Sequence, residues 1–195
     1  MGRWRWMLGH PQGWELLMSH ARHRGGFSLI ELMIAISIFI ILILIAGPMY
    51  SDFMGNAQIR NASESLLSGI RLAQAEAVRR NTQVAFVLDP ATGWQVSGPD
   101  LDGNAQTIQS YSFKEGATRT KVDAGDSTTL TYDGLGRILN PNPDATAPIG
   151  QIDVTITGMT SPRKLRIAVG LIGGSASGVK LCDPASASTE PQACP

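Results

Sequence analysis

The most prominent feature of the chain is an unbroken apolar run near its start. Residues 27–46 read FSLIELMIAISIFIILILIA, in which Glu31 is the one charged side chain. A helix of about 20 apolar residues crosses a bilayer core, and this run is long enough to do so. Arg22, His23 and Arg24 precede it. The positive-inside rule therefore predicts a cytoplasmic N-terminus, with the remainder of the chain outside the cytoplasm.

The helical pattern continues beyond the apolar run to Asn81. Apolar positions recur at helical spacing and predict an amphipathic stripe that faces a core. They are Leu66, Ile70, Ala73 and Ala77, with Leu67 and Val78 beside them. Pro48 is expected to kink this helix rather than end it, because a spanning helix can satisfy the freed carbonyl in other ways. Two separate helices divided at Gly47 and Pro48 are the alternative.

After the helix the period changes to two, which predicts consecutive β-strands. Six strands are expected, at residues 82–88, 93–96, 108–113, 128–132, 152–157 and 164–169. Strands that follow one another without helices between them favour antiparallel pairing. The predicted fold class is therefore α+β, in which one long helix covers a face of an antiparallel β-sheet head.

Composition and charge reduce the range of functions. The chain has 16 Lys and Arg against 16 Asp and Glu, which argues against a general polyanion-binding protein. Its 3 histidines lie no later than His23, so loss of that segment would leave none for acid–base, triad or metal chemistry. We therefore expect no enzyme, no cofactor and no metal. The segment from Asp100 to Asn104 lacks the Gly and Glu positions of an EF-hand, and a surface turn is favoured over a calcium loop.

The start of the apolar run carries a specific motif. Arg24-Gly25-Gly26 followed by Phe27-Ser28-Leu29-Ile30-Glu31 resembles the class III signal of type IV prepilins and pseudopilins. Proteins of that family are cut after the Gly by a prepilin peptidase, are N-methylated on the new Phe, and use the Glu for subunit registry. The resemblance implies cleavage between Gly26 and Phe27, methylation of Phe27, and assembly through Glu31 and Pro48. A carboxylate in an apolar segment is costly, and the new α-amine of a neighbouring subunit would pair with it.

This resemblance implies an organisation in four segments. They are a leader at 1–26, a membrane and assembly half of the helix at 27–48, an amphipathic half at 49–81, and a β-rich head at 82–195. A leader that starts at Met1 is long for the family, and translation from Met18 would give the short leader MSHARHRGG.

The same resemblance implies partners and a location. The partners would be other major and minor pilins through the N-terminal helix, the prepilin peptidase, and an inner-membrane assembly platform. The protein would be a single-pass inner-membrane protein with a periplasmic head, and later part of a pilus or pseudopilus.

A second, narrower resemblance covers the end of the helix and the first strands. Residues 70–87 and Trp94 are similar to FimT/FimU minor pilins and to the GspH pseudopilin of type II secretion. Cys182 and Cys194 are the two cysteines, and in an oxidising compartment they most simply form one disulfide that pins the C-terminal tail. FimT/FimU-like pilins often end in a similar Leu-Cys-Asp-Pro…Cys arrangement, which GspH usually lacks.

The favoured function is therefore a minor pilin of a type IV pilus, in the priming or tip complex, with a role in motility or DNA uptake. A GspH-type pseudopilin of a type II secretion system is the alternative.

DNA binding in natural transformation is a further hypothesis. Some FimT-type pilins bind DNA through a Gly-Arg-x-Arg motif, and at the matching place only Lys180 is positive. Arg163, Lys164 and Arg166 form a second basic cluster, with Lys164 and Arg166 on one face of a predicted strand. A few phosphate contacts support only weak, salt-sensitive binding. Solvated positions on the outer face of a sheet are the simpler interpretation.

Overall fold

The computed structural model describes residues 26–100, 102–159, 162–172 and 175–195. The predicted leader lies outside these residues except for Gly26, and so do Met1, Met18 and the histidines. Within the described ranges, one helix α1 (Leu29–Arg80) precedes eight strands. The strands are β1 (Val84–Asp89), β2 (Gly93–Pro99), β3 (Ala105–Ser112), β4 (Thr120–Asp123), β5 (Thr129–Tyr132), β6 (Gln151–Ile156), β7 (Leu165–Ile172) and β8 (Ser175–Cys182). The chain divides into two compact units, Met1–Ile45 and Ala46–Pro195.

In the first unit, α1 starts with a side-chain cap. The hydroxyl oxygen of Ser28 accepts the backbone N–H of Glu31 at 3.2 Å. Ser28 and Glu31 thus form the S-x-x-E pattern of a capping box, and the carboxylate also lies at the positive end of the helix dipole. By length and composition, α1 could cross a membrane. It continues across Pro48 as a single element.

In the second unit, α1 contributes a buried face to the core. Ile59, Ala62, Leu66, Ile70, Ala73 and Ala77 are each at most 1% exposed. This confirms the predicted amphipathic stripe, whereas Val78 at its side is 52% exposed. Small side chains on this face let the sheets approach closely: a Cβ built on Gly69 would lie 2.9 Å from the rings of Phe86 and Trp94.

The α+β class is confirmed, but the strands form two sheets rather than the one predicted. One sheet has the order β3-β2-β1-β5 and the other β4-β6-β7-β8, and every pairing is antiparallel. The chain leaves the first sheet after β3, forms β4 in the second, and returns to pair β5 with β1. Because β4 is short and polar, the sequence pattern does not reveal this crossing.

The strand boundaries differ from the predicted ones in modest ways. All six predicted strands are present, and the last of them, β7, begins at Leu165 and extends to Ile172. The two strands that the pattern does not predict are β4, with sequence TKVD, and β8, with sequence SASGVKLC. Ser and Gly have low strand propensity, so β8 owes its conformation to pairing with β7.

Aromatic side chains connect the first sheet to α1. The Trp94 ring lies 5.7 Å from that of Phe86 and 6.1 Å from that of Tyr111, measured between centroids. The indole N–H of Trp94 donates to the hydroxyl of Ser65 at 2.9 Å, so its buried polar atom is satisfied by the helix. The predicted aromatic of the second strand is therefore a core residue.

Tyr132 is a polar exception in this core. Its side chain is fully buried, and its hydroxyl has no hydrogen-bond partner among the described residues. Burial raises the pKa of this phenol well above its ordinary value, so the group stays neutral.

We expect Tyr132→Phe to leave the protein equally stable or up to about 1 kcal/mol more stable, because an unpaired buried hydroxyl costs free energy. The measurement is urea unfolding of the full chain in detergent. Tyr111→Phe is the control, since it loses a hydrogen bond of 3.1 Å to the Glu115 carbonyl. A loss of more than about 1 kcal/mol for Tyr132→Phe would show that the hydroxyl has a partner.

Candidate assembly and interaction surfaces

The predicted assembly residues lie at the start of α1. Gly26, Phe27 and Glu31 are all exposed, and the Phe27 side chain is 84% exposed. Within the described part of the chain, no cation forms an ion pair with Glu31. Among the described residues, this carboxylate is therefore an unpaired charge in an apolar surface.

The apolar surface of α1 is extensive. Every large apolar side chain from Leu29 to Ile45 is half or more exposed. A second group on the same helix, Met49, Tyr50 and Phe53, is 66–73% exposed. Apolar patches of this extent mark membrane or protein contacts rather than a solvated surface.

At the other end of the chain, the predicted disulfide is confirmed. Cys182 and Cys194 are bonded, with a sulfur–sulfur distance of 2.05 Å. The backbone N–H of Asp183 donates to the carbonyl of Gln192 at 2.8 Å, and Asp183 forms a parallel bridge with Ala193. The tail is therefore an ordered loop closed on the end of β8.

Two of the predicted DNA-binding cations hold this tail. The Arg163 Nε donates to a carboxylate oxygen of Asp183 at 3.0 Å, and the Lys180 ammonium donates to the Ala193 carbonyl at 2.8 Å. The N–H of Ala185 and the Arg163 guanidinium together lower the pKa of Asp183. These cations thus bind the chain's own backbone and carboxylate.

The other two predicted cations lie at the start of β7. Arg166 binds Asp153 on β6 through two hydrogen bonds, of 2.6 and 2.8 Å, and this contact raises the pKa of Arg166. The predicted strand begins at Lys164, but β7 begins at Leu165, so Lys164 lies just before the strand. Among the described residues, Lys164 is the member of the cluster without an ion pair or side-chain hydrogen bond. DNA binding stays a prediction, and this arrangement gives it little electrostatic support.

The acidic segment after β2 is a self-contained turn. One carboxylate oxygen of Asp100 accepts the N–H groups of Asp102 and Asn104, at 2.9 and 2.8 Å. These bonds, led by that from Asn104, lower the pKa of Asp100. The described residues contain no group of three or more His, Cys, Asp or Glu arranged to hold a metal ion.

Three residues that hold parts of these surfaces in place were not identified from the sequence: Ser28, Asp153 and Asp183. Ser28 could have been found, because its S-x-x-E spacing to Glu31 is the signature of a capping box. Asp183 follows Cys182 directly, yet its partner Arg163 is distant in sequence. The pairing of Asp153 with Arg166 depends on the register of β6 and β7, which the sequence does not reveal.

We expect the double variant Cys182→Ser, Cys194→Ser to release the tail and to reduce stability by about 3 kcal/mol, the entropy of closing a loop of this size. Limited proteolysis of the full chain should then cut first between the two positions. Arg79→Gln is the control, because it removes an exposed ion pair with Glu76 on α1. Equal protection of the tail in the double variant would mean that its hydrogen bonds suffice.

Two family models match the chain. Residues 62–173, more than half of the chain, match the family model described as Type II transport protein GspH. Residues 21–47 match the prokaryotic N-terminal methylation motif. No curated protein matches the chain.

Two solved structures are similar in fold. The type IV minor pilin FimU of Pseudomonas aeruginosa is 16% identical, with 70% of this chain and 97% of that chain covered and a TM-score of 0.46. The minor pseudopilin EpsH of the Type 2 Secretion System of Vibrio cholerae is 14% identical, with 64% and 98% covered and a TM-score of 0.43. With the family match and the methylation motif both present, the chain belongs to the GspH family and is a minor pilin or pseudopilin of a type IV pilus or a type II secretion system.

Proposed function

We propose that the protein is a FimT/FimU-like minor pilin of a type IV pilus. It would be cut by the prepilin peptidase between Gly26 and Phe27, methylated on Phe27, and assembled through α1 into the priming or tip complex. The observation that carries the proposal is the exposed apolar surface of α1, which has Glu31 as its one charge between Phe27 and Ile45. Such a surface is stable in a bilayer and again among the helices of other pilins.

Glu31 gives this assembly its register. Cleavage creates an α-amine at Phe27, close to Glu31 in sequence. In a helical array the amine of one subunit meets the carboxylate of a neighbour, and the low dielectric between the apolar helices strengthens their attraction. A subunit that is displaced by one position would bury both charges without partners, at a cost of several kcal/mol.

The disulfide-closed tail supports a pilus rather than a secretion machine. The segment Leu181-Cys182-Asp183-Pro184 with Cys194 has the arrangement often found in FimT/FimU-like pilins. The ordered loop would be displayed by the head once the helix is covered. A GspH-type pseudopilin is the alternative, in which the same assembly serves protein export.

The first test is to shear surface fibres from cells and to measure the N-terminal mass of the protein in fibres and in membranes. N-methyl-Phe27 protein in the fibres supports the type IV pilus. Processed protein that stays in the membrane, even after enrichment for tips, favours the pseudopilin. Unprocessed protein in both pools would contradict the proposal.

A further inference from the structure

A groove of about 650 Å³ opens in the second unit beside the disulfide-closed tail. Part of its lining is apolar, with Phe53 and Ile59 from α1 and Leu165 and Leu181 from β7 and β8. Phe53 is 69% exposed, so a large aromatic face in this groove has no cover among the described residues. We call this site the tail groove.

Two arginines also line the tail groove. The Arg60 Nε donates to Glu64 at 2.7 Å, and the Arg163 Nε donates to Asp183 at 3.0 Å. The two side chains are 75% and 60% exposed, and no described residue accepts a hydrogen bond from their terminal nitrogens. Each guanidinium is thus fixed through its Nε, and its terminal nitrogens remain available to a ligand. Because the side chain is already ordered, less conformational entropy is lost when these nitrogens bind.

The lining therefore combines forked cationic donors with an aromatic and aliphatic surface. Guanidinium groups match the geometry of phosphate oxygens, and the apolar residues match a hydrocarbon chain. Glu64 and Asp183 each neutralise part of the charge of one arginine, as in the basic cluster described above. The attraction for a phosphate therefore comes mainly from the remaining guanidinium N–H donors, and a single phosphate needs far fewer contacts than a DNA duplex does. A phosphodiester that is joined to acyl chains fits both parts of the lining.

We propose that the tail groove binds an anionic phospholipid, with its phosphate on Arg60 and Arg163 and its first acyl carbons on Phe53 and Leu181. An acidic protein segment would satisfy the same charges. The lipid is favoured because the groove is covalently joined to an apolar helix, which holds it at a bilayer at high effective lipid concentration before any partner arrives. The inference rests on membrane anchoring of α1 and not on which machine the protein serves.

The test uses the unassembled full chain in nanodiscs of phosphatidylcholine with phosphatidylglycerol, and native mass spectrometry to count the lipids that stay bound. We expect retention of phosphatidylglycerol over phosphatidylcholine. In the variant Arg60→Gln, Arg163→Gln this preference should fall at least about fivefold, the effect of one free cation near an anionic surface, because both arginines are partly neutralised by their carboxylates. Phe53→Ser should lower retention of phosphatidylglycerol without a change of charge, and it leaves the core intact because the Phe53 side chain is exposed.

The double variant Arg79→Gln, Arg137→Gln is the matched control, because it removes the same number of charges. The two arginines are 64% and 69% exposed, each is paired with a carboxylate, and neither lines the tail groove. An equal loss of preference in this control would mean diffuse attraction to the bilayer and would overturn the proposal. Unchanged retention in the groove variant Arg60→Gln, Arg163→Gln would overturn it as well. If the double variant Arg60→Gln, Arg163→Gln enters sheared fibres less but retains lipid as before, the groove binds an acidic segment of another pilin. That result would also contradict the proposed lipid site.

Discussion

Glu31→Gln is expected to lower the amount of the protein in sheared fibres more than about 100-fold, while cleavage after Gly26 continues. The variant deletes the charge that we propose to pair with the amine of a neighbouring subunit, and breaking a buried ion pair costs about 3–5 kcal/mol. The measurement is the ratio of fibre-bound to membrane-bound protein, with the N-terminal mass of each pool as the record of processing.

Gln is chosen because it separates two roles of Glu31. The amide can still reach back across the capping box that starts α1, so the helix end is retained while the charge is lost. Ser28→Ala is the complementary control, which deletes the cap at about 1 kcal/mol and leaves the carboxylate. Normal fibre entry of Glu31→Gln together with a defect in Ser28→Ala would mean that capping, and not ion pairing, is the role of this motif.

Gly69→Val is expected to reduce the stability of the second unit by about 3 kcal/mol or more, the upper range for overpacking a filled core. The Cβ alone would approach the rings of Phe86 and Trp94 to 2.9 Å. Neither ring can move freely, because Phe86 is fully buried and the Trp94 N–H is bound to Ser65. Urea unfolding of the full chain in detergent, followed by near-UV circular dichroism, measures the loss.

Gly47→Ala is the matched control on the same helix. A Cβ at Gly47 meets no atom within 4 Å, so this change adds helix propensity alone and should be neutral or stabilising by up to about 1 kcal/mol. A loss below about 1 kcal/mol for Gly69→Val would contradict the close packing of α1 on the first sheet at this position.

Where the hydrophobic period is strong, the sequence predicts the structure well. The apolar run and the stripe that includes Leu66, Ile70 and Ala77 predict α1 and its buried face, because both depend on local spacing along one element. The strand around Trp94 is found for the same reason. Strands β4 and β8 are missed because their residues have weak preferences of their own and become strands by pairing.

The candidate sites divide along the same line. Gly26, Phe27 and Glu31 belong to one short sequence motif, so the sequence alone identifies them. The pairing of Cys182 with Cys194 could be predicted because the chain has no other cysteine. The basic cluster is different: Arg163 and Arg166 look like free cations until the fold brings Asp183 and Asp153 to them. Their partners lie 20 and 13 residues away, and the register of two sheets decides those contacts.

The burial of one face of α1 has a mechanical consequence. Ile59, Leu66 and Ala73 are part of the same core as the two sheets, so a pull along the helix at Ala46 loads the head in shear over the whole length of this face. In shear, all contacts along this face carry the force together, whereas in peeling they would break one after another.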